Sequence, residues 1–193
     1  MSNVRDNNNQ YPAIRFAGFT DPWVQYKLGS LGVTKSGTGF SESEQGGISG
    51  TPFYKVSDMN ILGNNVYMTN ANNYVTDEQI SNKKWNPIVP KNQGVLFAKV
   101  GAAIFLNRKR LVNEPFLIDN NMMAYLFDDS WNSYFGKIVF EKQNLHQFAQ
   151  VGALPSYNAS DIETIKVSVP LIEEQQLVGN LIKYVDQLIA ANQ

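Results

Sequence analysis

Ile165, Val167 and Val169 alternate with Lys166 and Ser168, and Pro170 follows at once. Period-two alternation makes a half-buried strand, while proline, which lacks a backbone N–H, suits the first turn of a helix. Glu173 and Glu174 then fall where the helix dipole favours anions. Beyond them Leu171, Val178 and Val185 share one heptad position, and Glu174, Leu181 and Leu188 share another. Leu177, Ile182 and Ile189 flank this seam. Gly179 inside it costs about 1 kcal/mol relative to alanine. No stop signal precedes Gln193, so a long helix over 170–193 is expected to reach the last residue. Its apolar stripe either packs on its own domain or meets a partner helix, and the pattern alone leaves both open.

The residues before it read as a β-rich body. Residues 1–11 are polar and asparagine-rich and are expected to form a disordered lead. From Pro12 to Gly29 aromatic anchors at Phe16, Phe19, Trp23 and Tyr26 are interrupted by Gly18 and Pro22, predicting an irregular segment. Lys35 to Gly50 is rich in glycine and serine and reads as a surface loop. It lacks the Gly-Lys-Ser/Thr ending of a phosphate-cradling loop. Strands are predicted at Phe53–Val56, Val66–Thr69 and Gly94–Val100, with Ala102–Leu106 pairing back across Gly101. Leu111-Val112, Phe116–Ile118 and Met122–Phe127 continue the sheet. Asp129 or Ser130 is placed to cap a helix carrying Tyr134, Phe135, Ile138 and Val139, and Leu145–Ala149 reads as a shorter one. Phe97, Phe105, Phe127 and Phe140 are core residues by pattern. The expected fold class is α+β: one β-rich domain with short helices over 12–169 and a projecting helix over 170–193.

Charge separates the chain into three blocks. Residues 1–80 carry net −2, residues 81–113 carry +7 with no acid at all, and residues 114–193 carry −6, so the total is −1. A segregated field of this kind steers a polyanion even when the whole protein is near neutral. Twenty-two asparagines add amides that both donate and accept, as base edges and turns require. Catalytic chemistry finds little to work with. There is no cysteine, and His146 is the single histidine, so thiolate sites, histidine triads and imidazole relays are excluded. Asn86-Pro87-Ile88-Val89 lacks the second proline and the aromatic of an adenine-methyltransferase motif. No catalytic residue, metal or cofactor is expected. With no apolar run near the roughly 18 residues of a membrane span, a cytoplasmic protein is the expectation.

Three strings carry a resemblance. IRFAGFTDPWVQYKLG is similar to the start of a target-recognition domain in specificity subunits of Type I restriction-modification enzymes. LPSYNASDIETIKVSVPLIEEQQLVGNLIKYVDQLI resembles the end of that domain running into the family's spacer helix. TPFYKVSDMN and GVLFAKVGAAIFLNRKRLVNEPFLIDNNMMA resemble its body. The resemblance implies a non-catalytic reader of one half of a split double-stranded DNA target. It further implies methyltransferase subunits as partners and, through them, motor and restriction subunits. By the same analogy the methyltransferase approaches near Asp161 and the start of the helix. Such subunits carry two recognition domains joined by paired helices, whereas this chain carries one. It therefore resembles a half subunit, expected to form a homodimer on an inverted-repeat site.

The DNA-binding candidates follow from charge and position. Lys99, Asn107, Arg108, Lys109 and Arg110 come first, at the end and turn of the strongest strands. Lys83 and Lys84 come next, as phosphate contacts, and then Lys35, Ser36, Thr38 and Ser41 of the Gly/Ser loop. Tyr54, Lys55, Tyr157 and Asn158 are weaker, and Asn120 and Asn121 are assigned to a turn. Leu171, Val178, Leu181, Val185 and Leu188 are the dimerisation candidates. Two rivals remain: a carbohydrate-binding module, suggested by twelve Tyr and Trp, and a regulator that sequesters the methyltransferase. Salt-dependent retention on a polyanion separates the DNA reading from the sugar reading.

Overall fold

A computed structural model describes residues 11–149 and 154–192. All of the lead expected over 1–11 except Tyr11 lies outside these residues. Strand β1 (Val24–Lys27) pairs antiparallel with β9 (Lys166–Val169). This brings the first aromatic segment onto the strand that precedes the long helix. The main sheet is antiparallel, with β2 (Gly32–Ser36), β8 (Met122–Phe127), β5 (Gly94–Ala98) and β6 (Arg110–Val112) in the order β2-β8-β5-β6. A smaller sheet sets β3 (Thr51–Tyr54) between β4 (Tyr74–Val75) and β7 (Leu117–Ile118).

The run MMAYLF of β8 shows why the sheet is central. Met123, Tyr125 and Phe127 enter one core with Val95, Phe97 and Leu111. Met122 and Ala124 enter a second core on the opposite face with Leu96, Val112, Phe116 and Ile118. A strand buried on both faces reads as an unbroken apolar run, and burying each large side chain contributes about 1.5–3 kcal/mol. Tyr125 is fully buried, and its hydroxyl donates to the Leu28 carbonyl at 2.7 Å.

The helices are α1 (Asp77–Lys83), α2 (Ser133–Lys142), α3 (Ala159–Glu163) and α4 (Ile172–Ala191). Asn132, rather than Asp129 or Ser130, caps α2 by accepting from the Phe135 N–H at 3.0 Å. Helix α2 covers the first core, and α4 lies against α2. The contact face of α4 includes Gln175, whose Oε1 accepts from the Asn132 N–H at 3.0 Å, and Asp186, which accepts from the Tyr134 hydroxyl. Gly179 permits the approach, because a Cβ there would lie 2.3 Å from Asn132 Oδ1. At the root of α4, buried Glu174 accepts two hydrogen bonds from the Arg15 guanidinium, at 2.8 and 2.6 Å, and one from Trp23 Nε1 at 3.2 Å.

Several expectations are corrected. Ala102–Leu106 is a 3-10 turn, not a strand, because Gly101 (φ +74°), beyond the end of β5 at Ala98, opens the turn and Asn107 (φ +50°) closes it. Its Phe105 is exposed rather than core. Val66–Thr69 contributes one isolated bridge, Tyr67 with Leu111. Lys35 and Ser36 end strand β2 instead of opening a loop. Pro170 precedes the helix by two residues, with Leu171 at its N-cap.

Candidate nucleic-acid interface

The register of the main sheet brings separate pieces of the sequence to one end. Ser36 faces Met123, Ala98 faces Met122, and Arg110 faces Leu96. Gly37 and Thr38 after β2, Asn120 and Asn121 before β8, Lys99 after β5 and Arg108 before β6 therefore meet at the same edge. Backbone contacts tie them together. The Lys99 N–H donates to the Asn121 carbonyl at 2.8 Å, and the Thr38 N–H donates to the Ile118 carbonyl at 2.9 Å. Gly37 makes the last crossing possible, since a Cβ there would sit 1.8 Å from the Asp119 carbonyl oxygen. The Asp119 N–H donates to the Tyr54 carbonyl at 3.0 Å, which brings Lys55 next to this end, where its ammonium donates to Gln45 Oε1 at 3.1 Å. Buried Asp119 accepts from the Asn121 backbone and amide, and burial pushes its carboxyl above the usual range.

A cleft of about 470 Å³ opens beside this end. Lys35, Ser36 and Thr38 line one part of it, and Lys84, Trp85 and Asn86 another. Lys84 caps α1 in the left-handed region (φ +53°), which turns the chain sharply into Trp85-Asn86. Lys84 of the second group and Lys35, Ser36 and Thr38 of the third thus share one basic, half-apolar groove, which Ser41 does not line. Lys83 departs from them, since it is paired with Glu44 at 2.8 Å. The Lys83 ammonium and the Gln79 amide hold the Glu44 carboxyl below its ordinary range.

The first group divides. Lys99 is half-buried at the sheet end, and half-buried Arg108 donates to Asn60 Oδ1. Lys109 is buried and its ammonium donates to Asn107 Oδ1 and, at 2.9 Å, to the Gln143 carbonyl. Burial pushes its pKa down to about 7. It closes the C-terminus of α2 and is withdrawn from the DNA candidates. Asn107 is withdrawn with it, because its amide is occupied by Lys109, the Leu145 N–H and the Glu141 carbonyl. Arg110 is half-buried beside them, donating to the Lys109 carbonyl at 3.0 Å. Among the weaker candidates, Tyr54 and Tyr157 are buried, with hydroxyls donating to the Met68 and Ala98 carbonyls. Asn158 caps α3. Asn86 and exposed Asn120 were not among the candidates. Both lie in loops whose aim depends on distant strands, and the local sequence carries no signal of it.

The dimerisation candidates divide in the same way. Val178 packs with Ile182 against the α2 core, so it is spent within the domain. Leu181, Val185 and Leu188 are exposed, as are Leu177 and Tyr184. Leu177, Leu181, Tyr184 and Leu188 recur at spacings of four, three and four residues, forming a second apolar stripe on the side of α4 away from α2. Leu171 is exposed at the helix N-cap, off this stripe. The sugar-stacking rival loses its best platforms, because Trp131 is buried and Trp23 and Trp85 are half-buried. Among the described residues no group of three or more metal-ligating side chains occurs, and no helix is long and apolar enough to cross a membrane.

The same architecture occurs in solved structures. A chain from a study of complex assembly and conformational transition in the type I R-M system aligns with a TM-score of 0.63 at 15% identity, over 91% of this chain and 41% of that one. The S subunit of a Type-I restriction-modification system from M. genitalium aligns with a TM-score of 0.57 at 13% identity, over 95% and 41%. The HsdS subunit from Thermoanaerobacter tengcongensis aligns with a TM-score of 0.58 at 15% identity, over 94% and 41%. The chain therefore spans about two-fifths of the length of these solved proteins. At these identities the likeness establishes the fold. The family model for the Type I restriction modification DNA specificity domain matches residues 20–193, and this chain belongs to that family.

Proposed function

We propose that this domain reads one half of a split double-stranded DNA target and directs partner methyltransferase subunits, and through them motor and restriction subunits, to that site. The reading rests on one observation above the others. Loops from β2, β5, β6 and β8 converge at a single sheet end carrying Lys99, Arg108, Asn120 and Thr38, beside the cleft edged by Lys35 and Lys84. Cations there hold phosphates, and the amides and hydroxyls read base edges. Residues 12–169 form the reader, and α4 offers Leu177, Leu181, Tyr184 and Leu188 to the same stripe of a second copy. A two-fold pair of readers matches an inverted repeat.

Fluorescence anisotropy with duplex DNA over a range of salt tests the reading. Lys99→Ala and Arg108→Ala are each expected to lower the slope of log affinity against log salt by about one, while Lys109→Met leaves it unchanged. A wild-type chain with no salt-dependent binding would overturn the proposal.

A further inference from the structure

The 3-10 turn Ala102–Leu106 presents an apolar tip within the acid-free segment 81–113. Ile104 is buried and anchors the turn, while its neighbours Phe105 and Leu106 are 60% and 58% exposed. Phe105 is the most exposed phenylalanine among the described residues. The tip is held rather than loose. Gly101 and Asn107 bracket it with positive φ, Asn107 is pinned by Lys109 and Leu145, and the Phe105 ring rests 5.6 Å from the His146 ring. Lys99 and Arg108 stand on either side of the turn, at the sheet end already described.

We propose that Phe105, with Leu106 beside it, is a wedge that enters a step between DNA bases while Lys99 and Arg108 hold the flanking phosphates. The inference rests on the DNA-reading function above and adds a mode of recognition to it. Apolar side chains that slip between base pairs unstack and kink the duplex, and the cost depends on the sequence being opened. A residue that touches no base edge thereby discriminates between sequences. Charge favours a nucleic acid over a protein as the occupant, because Lys99 and Arg108, which flank the tip at the sheet end, are both cations.

The test measures binding of the full chain to a fluorescein-labelled duplex of mixed sequence and to the same duplex with a central mismatch, which is already partly unstacked. The wild-type chain is expected to prefer the mismatched duplex. Phe105→Ala is expected to lose that preference and to weaken binding about tenfold with an unchanged salt slope, since stacking rather than charge is removed. Phe105→Trp is expected to retain both properties, and exposure of the site keeps either variant folded. If Phe105→Ala binds both duplexes as the wild type does, the wedge is overturned and the DNA reading stands. If the wild-type chain binds neither duplex in a salt-dependent way, both fall together.

Discussion

Lys109 sits between Arg108 and Arg110 in sequence, yet it alone of the three is fully buried. Its folded pKa of about 7 lies below the roughly 10.4 of an unfolded lysine. Between those values the unfolded chain binds a proton that the folded chain does not, so stability rises with pH across that window. The melting temperature is expected to climb from pH 7 to about 9.5, before the tyrosines raised by burial, Tyr125 and Tyr157 among them, oppose it. Differential scanning calorimetry of Lys109→Met should show no such climb. Glu174 is the second decisive residue. Arg15→Met leaves the Glu174 carboxylate buried without its cation and is expected to lower the midpoint of urea unfolding. Adding Glu174→Met should recover part of that loss, because the buried charge is removed with its partner.

Two elements show how local preference and packing oppose each other. Gly179 weakens α4 as an isolated helix, and alanine would gain about 1 kcal/mol there. The same substitution drives a Cβ into Asn132, which caps α2. Gly179→Ala is therefore expected to destabilise the fold by about 1–2 kcal/mol, a sign opposite to helix propensity. Denaturant titration decides between them. The turn Ala102–Leu106 is the second case. Its apolar letters read as a strand, but backbone geometry at Gly101 and Asn107 turns them into a 3-10 tip. By contrast β5, β8 and β9 were legible as they stand, since each has a period or an unbroken apolar run matching its burial, while α4 was legible as a helix but not in the face it buries.

For the whole molecule, the proposed homodimer makes the outer stripe of α4 the surface to test. Replacing Leu181 and Leu188 by glutamate together is expected to convert a dimer to a monomer in light scattering, while the melting temperature of the dilute chain moves little. A chain that is monomeric at high concentration would sink the homodimer. Local pattern sufficed for the central strands β5 and β8, for β9 and the existence of α4, for the segregation of charge and, through its strings, for the family. Which cations face outward and which stripe of α4 is spent against α2 follow from packing between distant segments. Period and capping are properties of neighbouring residues. Burial depends on which distant surfaces meet, and the end of α2 landing on Lys109 is written nowhere near Lys109.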